Sequence, residues 1–189
     1  MASAETPEEV IQRIVALLDD ADVPYMLTGS FASAFYGSPR ASQDIDVVIA
    51  PKLGSLKKFL NLLPEDKYYV DHDAALDAYG RESLFNVVDF DTGWKIDLII
   101  RKSRPFSIAE FDRKTRAEFA GSDVYVATAE DVLIAKLEWA KLSASERQLE
   151  DAAGILRMQG PELDMGYVER WVQELDLLWQ WAAAKSKVD

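Results

Sequence analysis

The segment that most constrains the fold comprises residues 25–50, YMLTGSFASAFYGSPRASQDIDVVIA. Its apolar residues 25–28 predict a short strand, and Gly29 with Ser30 predicts a tight turn. Residues 31–36 are predicted to form a short helix that Ser30 caps. A loop and a second apolar run follow. This alternation of strand, helix and strand is typical of an α/β fold.

Two carboxylates stand at the start of the second strand. Residues 47–49 are β-branched and too few for a helix, so they predict a strand that Asp44 and Asp46 open. Residues two apart in a strand share a face, which leaves Ile45 for the opposite, buried face. Two neighbouring carboxylates repel each other unless a cation lies between them, and a divalent metal is the usual solution. An acidic strand start in solvent is the alternative for this pair alone.

The turn before the helix indicates a second kind of site. A helix N-terminus after a glycine turn offers free backbone N–H groups and the positive end of the helix dipole. Gly29 and Ser30 are therefore candidates for binding phosphate. A phosphate site together with metal-binding carboxylates suits a reaction at a nucleoside triphosphate.

These motifs resemble those of nucleotidyltransferases of the DNA polymerase beta superfamily. The family pattern, hG[GS] followed by a helix and then [DE]h[DE]h, is L-T-G-S and D-I-D-V in this chain. The resemblance implies a triphosphate such as ATP as substrate and Mg²⁺ as cofactor, with two ions held by Asp44 and Asp46. It also implies release of pyrophosphate when the nucleotide is transferred.

The spacing of the motifs is similar to that of one subgroup. Asp44 follows Gly29 by 15 positions, with Arg40 and Ser42 shortly before it. This longer interval resembles the AbiEii abortive-infection toxins and the lincosamide nucleotidyltransferases. The resemblance places Arg40 near the triphosphate, where a guanidinium can pair with phosphate oxygens. A loop arginine in solvent is the alternative.

A third carboxylate is predicted in a hairpin. Residues 84–90 and 94–100 are apolar runs separated by Asp91-Thr92-Gly93, a turn sequence. Asp97 lies in the second run on the same face as Lys95, and a carboxylate in such a strand is costly unless it is paired or binds metal. The resemblance implies that Asp97 is a metal ligand that also takes up or orients the proton of the attacking hydroxyl. Asp89 and Asp91 are the competing candidates.

Lys136 and Asp151 form the last candidate pair. Glu130-Asp131 with Lys136, and Arg147 with Asp151, match E-D-x-x-x-x-K and R-x-x-x-D of AbiEii-like proteins. That resemblance implies that Lys136 contacts the nucleotide phosphates and that Asp151 shapes the substrate side. The alternative is a salt bridge that joins two helices.

The remaining chain predicts a mostly helical C-terminal region. Residues 1–103 are expected to form the nucleotidyltransferase core, a small mixed β-sheet with helices, and residues 104–189 a helical region packed on it. Within the latter we expect a helix over 107–119, a strand over 124–127 and a tryptophan-rich helical segment over 163–187. Thr128 and Asp131 have the spacing of a helix-capping box.

Composition limits the choice of partners and compartment. The 189 residues include no cysteine and carry a net charge of −12. Absence of cysteine excludes disulfides and favours an intracellular setting, and the start of the chain shows neither a signal peptide nor a membrane span. We therefore expect a cytoplasmic protein without a membrane partner. The acidic charge is unfavourable for a large nucleic-acid surface, which needs clustered Lys and Arg.

The sequence thus predicts a Mg²⁺-dependent nucleotidyltransferase that moves a nucleoside monophosphate from a triphosphate to an acceptor. RNA, protein and small molecules remain open as acceptors, since all need the same carboxylates. The AbiEii resemblance implies a toxin with a cognate antitoxin protein as partner. The alternatives are a non-catalytic relative that binds a nucleotide or a partner, and a structural module recruited through its tryptophan-rich tail.

Overall fold

The computed structural model describes residues 6–37, 42, 44–119 and 121–188. The described strands are β1 (Tyr25–Leu27), β2 (Asp44–Ile49), β3 (Tyr68–Val70), β4 (Leu84–Asp89), β5 (Lys95–Ile100), β6 (Thr115–Phe119) and β7 (Ser122–Val126). The described α-helices are α1 (Pro7–Asp20), α2 (Gly29–Tyr36), α3 (Leu53–Leu62), α4 (His72–Arg81), α5 (Pro105–Asp112), α6 (Ala129–Ser143), α7 (Glu146–Gln159), α8 (Met165–Glu174) and α9 (Leu178–Lys185). Within these ranges no helix is long and apolar enough to cross a membrane.

The strands form one mixed sheet. Its order is β3-β4-β5-β2-β1-β7-β6, with β2 parallel to β5, β1 parallel to β7 and the other neighbours antiparallel. The predicted hairpin of β4 and β5 is present, and Gly93 in its turn has a φ of 74°. The mixed sheet with helices confirms the predicted α/β class.

The structure contains the predicted strand, helix and strand of the first segment but corrects the helix start. Helix α2 begins at Gly29, with Thr28 in the N-cap position and a hydrogen bond from the Ala32 N–H to the Thr28 carbonyl. Gly29 has a φ of 63°, a conformation that glycine adopts at little cost. This left-handed turn starts the helix earlier than expected, so Ser30 is a buried residue of the first turn and not the cap.

The helix predicted over residues 107–119 is confirmed only in its first half. Helix α5 ends at Asp112, and residues 115–119 form β6, which pairs with β7 in an antiparallel hairpin. The sequence TRAEF suits a helix or an alternating strand, and a lone segment does not decide between them. Strand β7 also pairs with β1, at Leu27 and Val126, which adds the hairpin to the edge of the sheet.

The helical segment predicted over 163–187 is two helices. Helix α8 ends at Glu174, and Asp176 has a left-handed φ of 56° before α9 begins at Leu178. Leu177 between them is fully buried. The break directs Leu177 into the core, which a single straight helix with this sequence would not do.

The described chain separates into two compact units. One comprises Met1–Leu27 and Ser42–Val126, and the other Thr28–Ala41 and Ala127–Asp189, each taken over its described residues. All the described strands lie in the first unit, whereas α2 and α6 to α9 form the second. The predicted domain boundary at residues 103 and 104 stays a prediction. The compact units change over after Val126, because β6 and β7 belong to the sheet.

Within the helical unit, α2 packs against α6 and α7. The Tyr36 hydroxyl donates to the Ala127 carbonyl at 3.0 Å. The backbone at Gly37 approaches α7 so closely that a Cβ there would lie 3.1 Å from the Ile155 nitrogen and 3.2 Å from the Gly154 carbonyl carbon. The glycine after α2 therefore permits the contact that joins α2 to α7.

Candidate functional site

Strand register brings the three predicted carboxylates to one face of the sheet. Asp46 of β2 is the direct neighbour of Asp97 in β5, and Asp44 is the neighbour of Lys95. Parallel strands lie about 5 Å apart, so these side chains are adjacent. The intervening residues point to the other face and are buried, as Ile45 and Ile96 are. The structure therefore confirms that Asp44 and Asp46 share a face and that Asp97 shares one with Lys95.

The Lys95 ammonium lies between two of these carboxylates. Its Nζ is 3.3 Å from Oδ1 of Asp44 and 3.4 Å from Oδ2 of Asp97. Burial, the largest single influence, lowers the pKa of Lys95, but the charges of Asp97 and Asp44 together outweigh it and raise the pKa above its ordinary value. The ammonium is therefore charged at neutral pH and offsets the repulsion among the carboxylates.

Asn86 holds the other oxygen of Asp97. Asn86 in β4 is the direct neighbour of Asp97, and its Nδ2 donates a hydrogen bond to Oδ1 of Asp97. With Lys95 at Oδ2, both oxygens of Asp97 have a partner. A row of Asp46, Asp97 and Asn86 thus crosses three adjacent strands, which orients the Asp97 carboxylate.

The carboxylates at this face are the type of ligand that binds a divalent cation, but the Lys95 ammonium already contacts two of them. Mg²⁺ binds carboxylate oxygens, and Asp44 and Asp97 already converge on one cation, the Lys95 ammonium. Across the described residues, no group of three or more His, Cys, Asp or Glu side chains is placed to hold a metal ion. The Lys95 ammonium therefore contacts oxygen atoms of the kind that a divalent cation would bind.

The two competing carboxylates have other surroundings. Asp89 is 2% exposed and pairs with Arg13 on the opposite face of β4 from Asn86. Its Oδ1 accepts from the N–H groups of Asp91 and Thr92 at 2.9 and 3.0 Å, which closes the turn before β5. Asp91 is exposed in that turn. Asp89 therefore stabilises the hairpin, and Asp97 is the candidate that faces Asp46.

The predicted phosphate-binding residues lie in different parts of the chain. Gly29 and Ser30 form the first turn of α2, in the helical unit, directly after the end of β1 in sequence. Gly29 has the left-handed conformation that the predicted turn requires. Arg40 falls outside the described residues. The roles of all three in nucleotide binding stay predictions.

Lys136 and Asp151 form a buried ion pair inside the helical unit. Nζ of Lys136 donates to Oδ2 of Asp151 at 2.8 Å, and the side chains are 5% and 9% exposed. The pair joins α6 to α7. Buried ionised groups are costly unless paired, so each residue needs the other in this position. The structure brings the predicted pair together, and its contact with phosphate stays a prediction.

Sequence reasoning missed the roles of Lys95 and Asn86. The spacing of two between Lys95 and Asp97 is a signal that could have revealed Lys95, because it places both on one strand face. No comparable signal identifies Asn86. Its contact with Asp97 depends on the register of the β4–β5 hairpin and hence on the turn at Gly93.

Comparison with known proteins relates this architecture to solved nucleotidyltransferases. The chain is similar to ANT(2″)-Ia in complex with adenylyl-2″-tobramycin, with a TM-score of 0.60, 18% identity and coverage of 93% of this chain and 99% of that one. An antigenic nucleotidyltransferase-like protein from Paracoccidioides brasiliensis matches with a TM-score of 0.56, 16% identity and coverage of 94% and 91%. The lincomycin-bound lincosamide antibiotic adenylyltransferase LnuA matches with a TM-score of 0.54, 14% identity and coverage of 81% and 98%.

These likenesses define the fold as that of the nucleotidyltransferases. They extend over most of this chain and nearly all of each matched chain. No protein-family model matches the sequence, and no curated protein matches it. At these identities the shared property is the fold.

Proposed function

We propose that the protein is a Mg²⁺-dependent nucleotidyltransferase that moves a nucleoside monophosphate from a triphosphate to an acceptor hydroxyl. The acceptor oxygen bonds to the α-phosphorus, the bond from that phosphorus to the bridging oxygen breaks, and pyrophosphate leaves. The observation that carries the proposal is the register of Asp46 opposite Asp97, with Asp44 on the same face. Three carboxylates on one face of a nucleotidyltransferase fold supply oxygen ligands for metal and a side chain that can accept the proton of the acceptor hydroxyl.

Each carboxylate has a distinct proposed role. Asp44 and Asp46 hold Mg²⁺, with two ions expected, and Asp97 completes the ligand set. Bound Mg²⁺ would supply positive charge beside the phosphate oxygens and the acceptor hydroxyl. Asp97 also accepts the proton of the acceptor hydroxyl, and Asn86 keeps its carboxylate aimed.

The proposed nucleotide contacts come from the other candidate residues. The N–H groups at Gly29 and Ser30 would bind phosphate oxygens, since the first turn of a helix leaves its N–H groups without helical partners. Lys136 and Arg40 would add positive charge to the phosphates, and Asp151 would hold Lys136. These assignments are part of the proposal and can be tested one residue at a time.

We favour a small-molecule acceptor. Two of the matched structures contain a small-molecule antibiotic, lincomycin, or an adenylylated one, adenylyl-2″-tobramycin. The net charge of −12 disfavours binding an RNA backbone and suits a neutral or cationic acceptor. Tobramycin and lincomycin are therefore the first acceptors to test.

The deciding experiment measures transfer of label from α-³²P triphosphates. Purified protein is incubated with Mg²⁺, each common triphosphate in turn, and tobramycin, lincomycin or cell extract as acceptor. The double variant Asp44→Asn, Asp46→Asn serves as the inactive form. The matched control is Asp73→Asn, Asp77→Asn, which makes the same charge change on the exposed face of α4.

We expect labelled product from the wild type and from the α4 control. The variant at Asp44 and Asp46 should give none. Triphosphate binding without any labelled product would favour the alternative of a non-catalytic nucleotide-binding relative. If the wild type neither labels an acceptor nor binds a triphosphate, the proposed function is wrong.

An AbiEii-like toxin is the second candidate. It is favoured by the Lys136–Asp151 pair, which occupies the matching positions of that group. A toxin would transfer the nucleotide to RNA or protein, and its activity would be blocked by a cognate antitoxin protein. Label in a macromolecular band of the cell extract, with none on tobramycin or lincomycin, would support this candidate.

A further inference from the structure

Lys95 occupies the place of a cation at the carboxylate face. Its ammonium lies 3.3 Å from Asp44 and 3.4 Å from Asp97, whose strands are hydrogen-bonded neighbours. The side chain of Lys95 is 41% exposed, so the ammonium can turn toward solvent without disturbing the buried face of β5. A position between two carboxylates that is filled by a partly exposed monocation is open to exchange.

We propose that Lys95 is a built-in counter-ion that competes with a divalent cation for Asp44 and Asp97. The inference deepens the proposed function and rests on it, since it concerns the same carboxylates. Without metal, the ammonium neutralises part of their charge. When a divalent ion binds, Lys95 leaves these oxygens.

Charge explains why the exchange is feasible. Asp44, Asp46, Asp97 and Lys95 carry a formal net charge of −2, so the site still attracts a cation while Lys95 is in place. A divalent ion gains more from the carboxylates than a monovalent ammonium at the same distance. The exchange breaks two partly exposed ion pairs, which are weak because solvent screens them.

A purely structural role for Lys95 makes the opposite prediction. If Lys95 only joined the two strands, Lys95→Met would lower stability and leave the metal affinity unchanged, or weaken it by misplacing the carboxylates. If Lys95 competes with metal, the same variant leaves the carboxylates without their counter-ion and therefore binds metal more tightly. The affinity for metal separates the two roles, whereas stability does not.

The test is a titration of the protein with Mn²⁺ in the absence of nucleotide. Electron paramagnetic resonance measures the concentration of free Mn²⁺ at each step. Lys95→Met is compared with wild type, with Lys95→Arg, which keeps the charge, and with Lys58→Met. Lys58 is a matched control because it pairs with an exposed aspartate, Asp22, at 3.4 Å and belongs to α3, not to the strands that carry the three carboxylates. The thermal midpoint of each variant is recorded with and without Mn²⁺.

We expect Lys95→Met to bind Mn²⁺ about three- to tenfold more tightly than wild type, because two weak ion pairs no longer oppose binding. Its thermal midpoint should be lower without Mn²⁺ and should rise more on adding the ion. Lys58→Met should match wild type, and Lys95→Arg should not gain affinity.

Unchanged or weaker Mn²⁺ binding by a folded Lys95→Met variant would overturn the proposal that Lys95 competes with metal. If neither wild type nor Lys95→Met binds Mn²⁺ at millimolar concentration, both the proposed competition and the proposed metal-dependent transfer are wrong. Tighter binding by the variant, with no labelled product in the transfer assay, would support the counter-ion and count against the transferase alone.

Discussion

Asn86 shows how one neutral side chain can control a carboxylate. It donates to Oδ1 of Asp97 from the adjacent strand, while the other oxygen contacts Lys95. An oriented carboxylate accepts a proton along one direction, and loss of its partner lets the side chain rotate. Asn86 is therefore a positioning residue for the proposed reaction.

We expect Asn86→Ala to lower transfer activity by about 10- to 100-fold, the usual effect of removing a partner that orients a ligand. The loss should fall mainly on kcat, because Asn86 acts on Asp97 and has no proposed contact with the nucleotide. Steady-state kinetics with varied triphosphate measure this split.

Asn61→Ala on the exposed surface of α3 is the control and should leave kcat and KM unchanged. Equal activity of the Asn86 variant and the control would show that Asp97 is positioned without Asn86. A rise in KM alone would place Asn86 in nucleotide binding instead.

At the scale of elements, the contact between α2 and α7 depends on the absence of a side chain. Gly37 ends α2 where its backbone passes α7, and a Cβ at this position would lie nearest to backbone atoms of Ile155 and Gly154. Backbone inside a packed helix cannot yield as a flexible side chain can. A methyl group at this position must push the two helices apart.

Gly37→Ala is therefore expected to lower the free energy of unfolding by about 1–3 kcal/mol, the usual cost of overpacking. Gly54→Ala is the matched control, because nothing lies within 4 Å of a Cβ at that position in α3. An alanine there should stabilise by up to about 1 kcal/mol, since alanine favours the helix. Urea denaturation measures both, and equal stability of the two variants would contradict the close approach.

The hairpin of β6 and β7 shows what a local pattern leaves undecided. Residues 115–119 alternate polar and apolar side chains but also continue the composition of α5. Pairing with β7, which itself pairs with β1, makes them a strand. By contrast, α1 was predictable in detail, because Thr6 and Glu9 form a capping box whose partners are three residues apart.

At the scale of the whole molecule, stability at alkaline pH is expected to depend on Tyr25. This β1 residue is 3% exposed, and its ring contacts the ring of Tyr125 with centroids 5.7 Å apart. Burial raises the pKa of Tyr25 to about 12. The unfolded chain has a tyrosine pKa near 10, so it loses this proton at lower pH than the fold does.

Because the folded pKa is raised, the contribution of Tyr25 to stability is complete below about pH 10 and is lost as the pH rises toward 12. We expect a loss of about 2–3 kcal/mol across that window from this residue. Urea denaturation at pH 9 to 12 measures it. Tyr25→Phe should flatten the pH dependence, whereas Tyr69→Phe, at a 57% exposed position, should leave it unchanged. An equal slope in all three proteins would contradict the prediction.

Features that depend on near neighbours in the chain could be predicted from the sequence alone. The face shared by Asp44 and Asp46, the face shared by Lys95 and Asp97, the left-handed turn at Gly29 and the cap at Thr128 all follow from spacings of a few residues. Backbone geometry sets these relations before any tertiary contact forms.

Only the tertiary structure decided which strands are neighbours. Asp46 lies 51 positions before its partner Asp97, and no local pattern states that β2 and β5 pair in parallel with this register. A shift by one residue would turn Asp97 to the buried face, so the burial of Ile45 and Ile96 selects the register. Burial of apolar side chains across the whole sheet thereby places the carboxylates, Lys95 and Asn86 together.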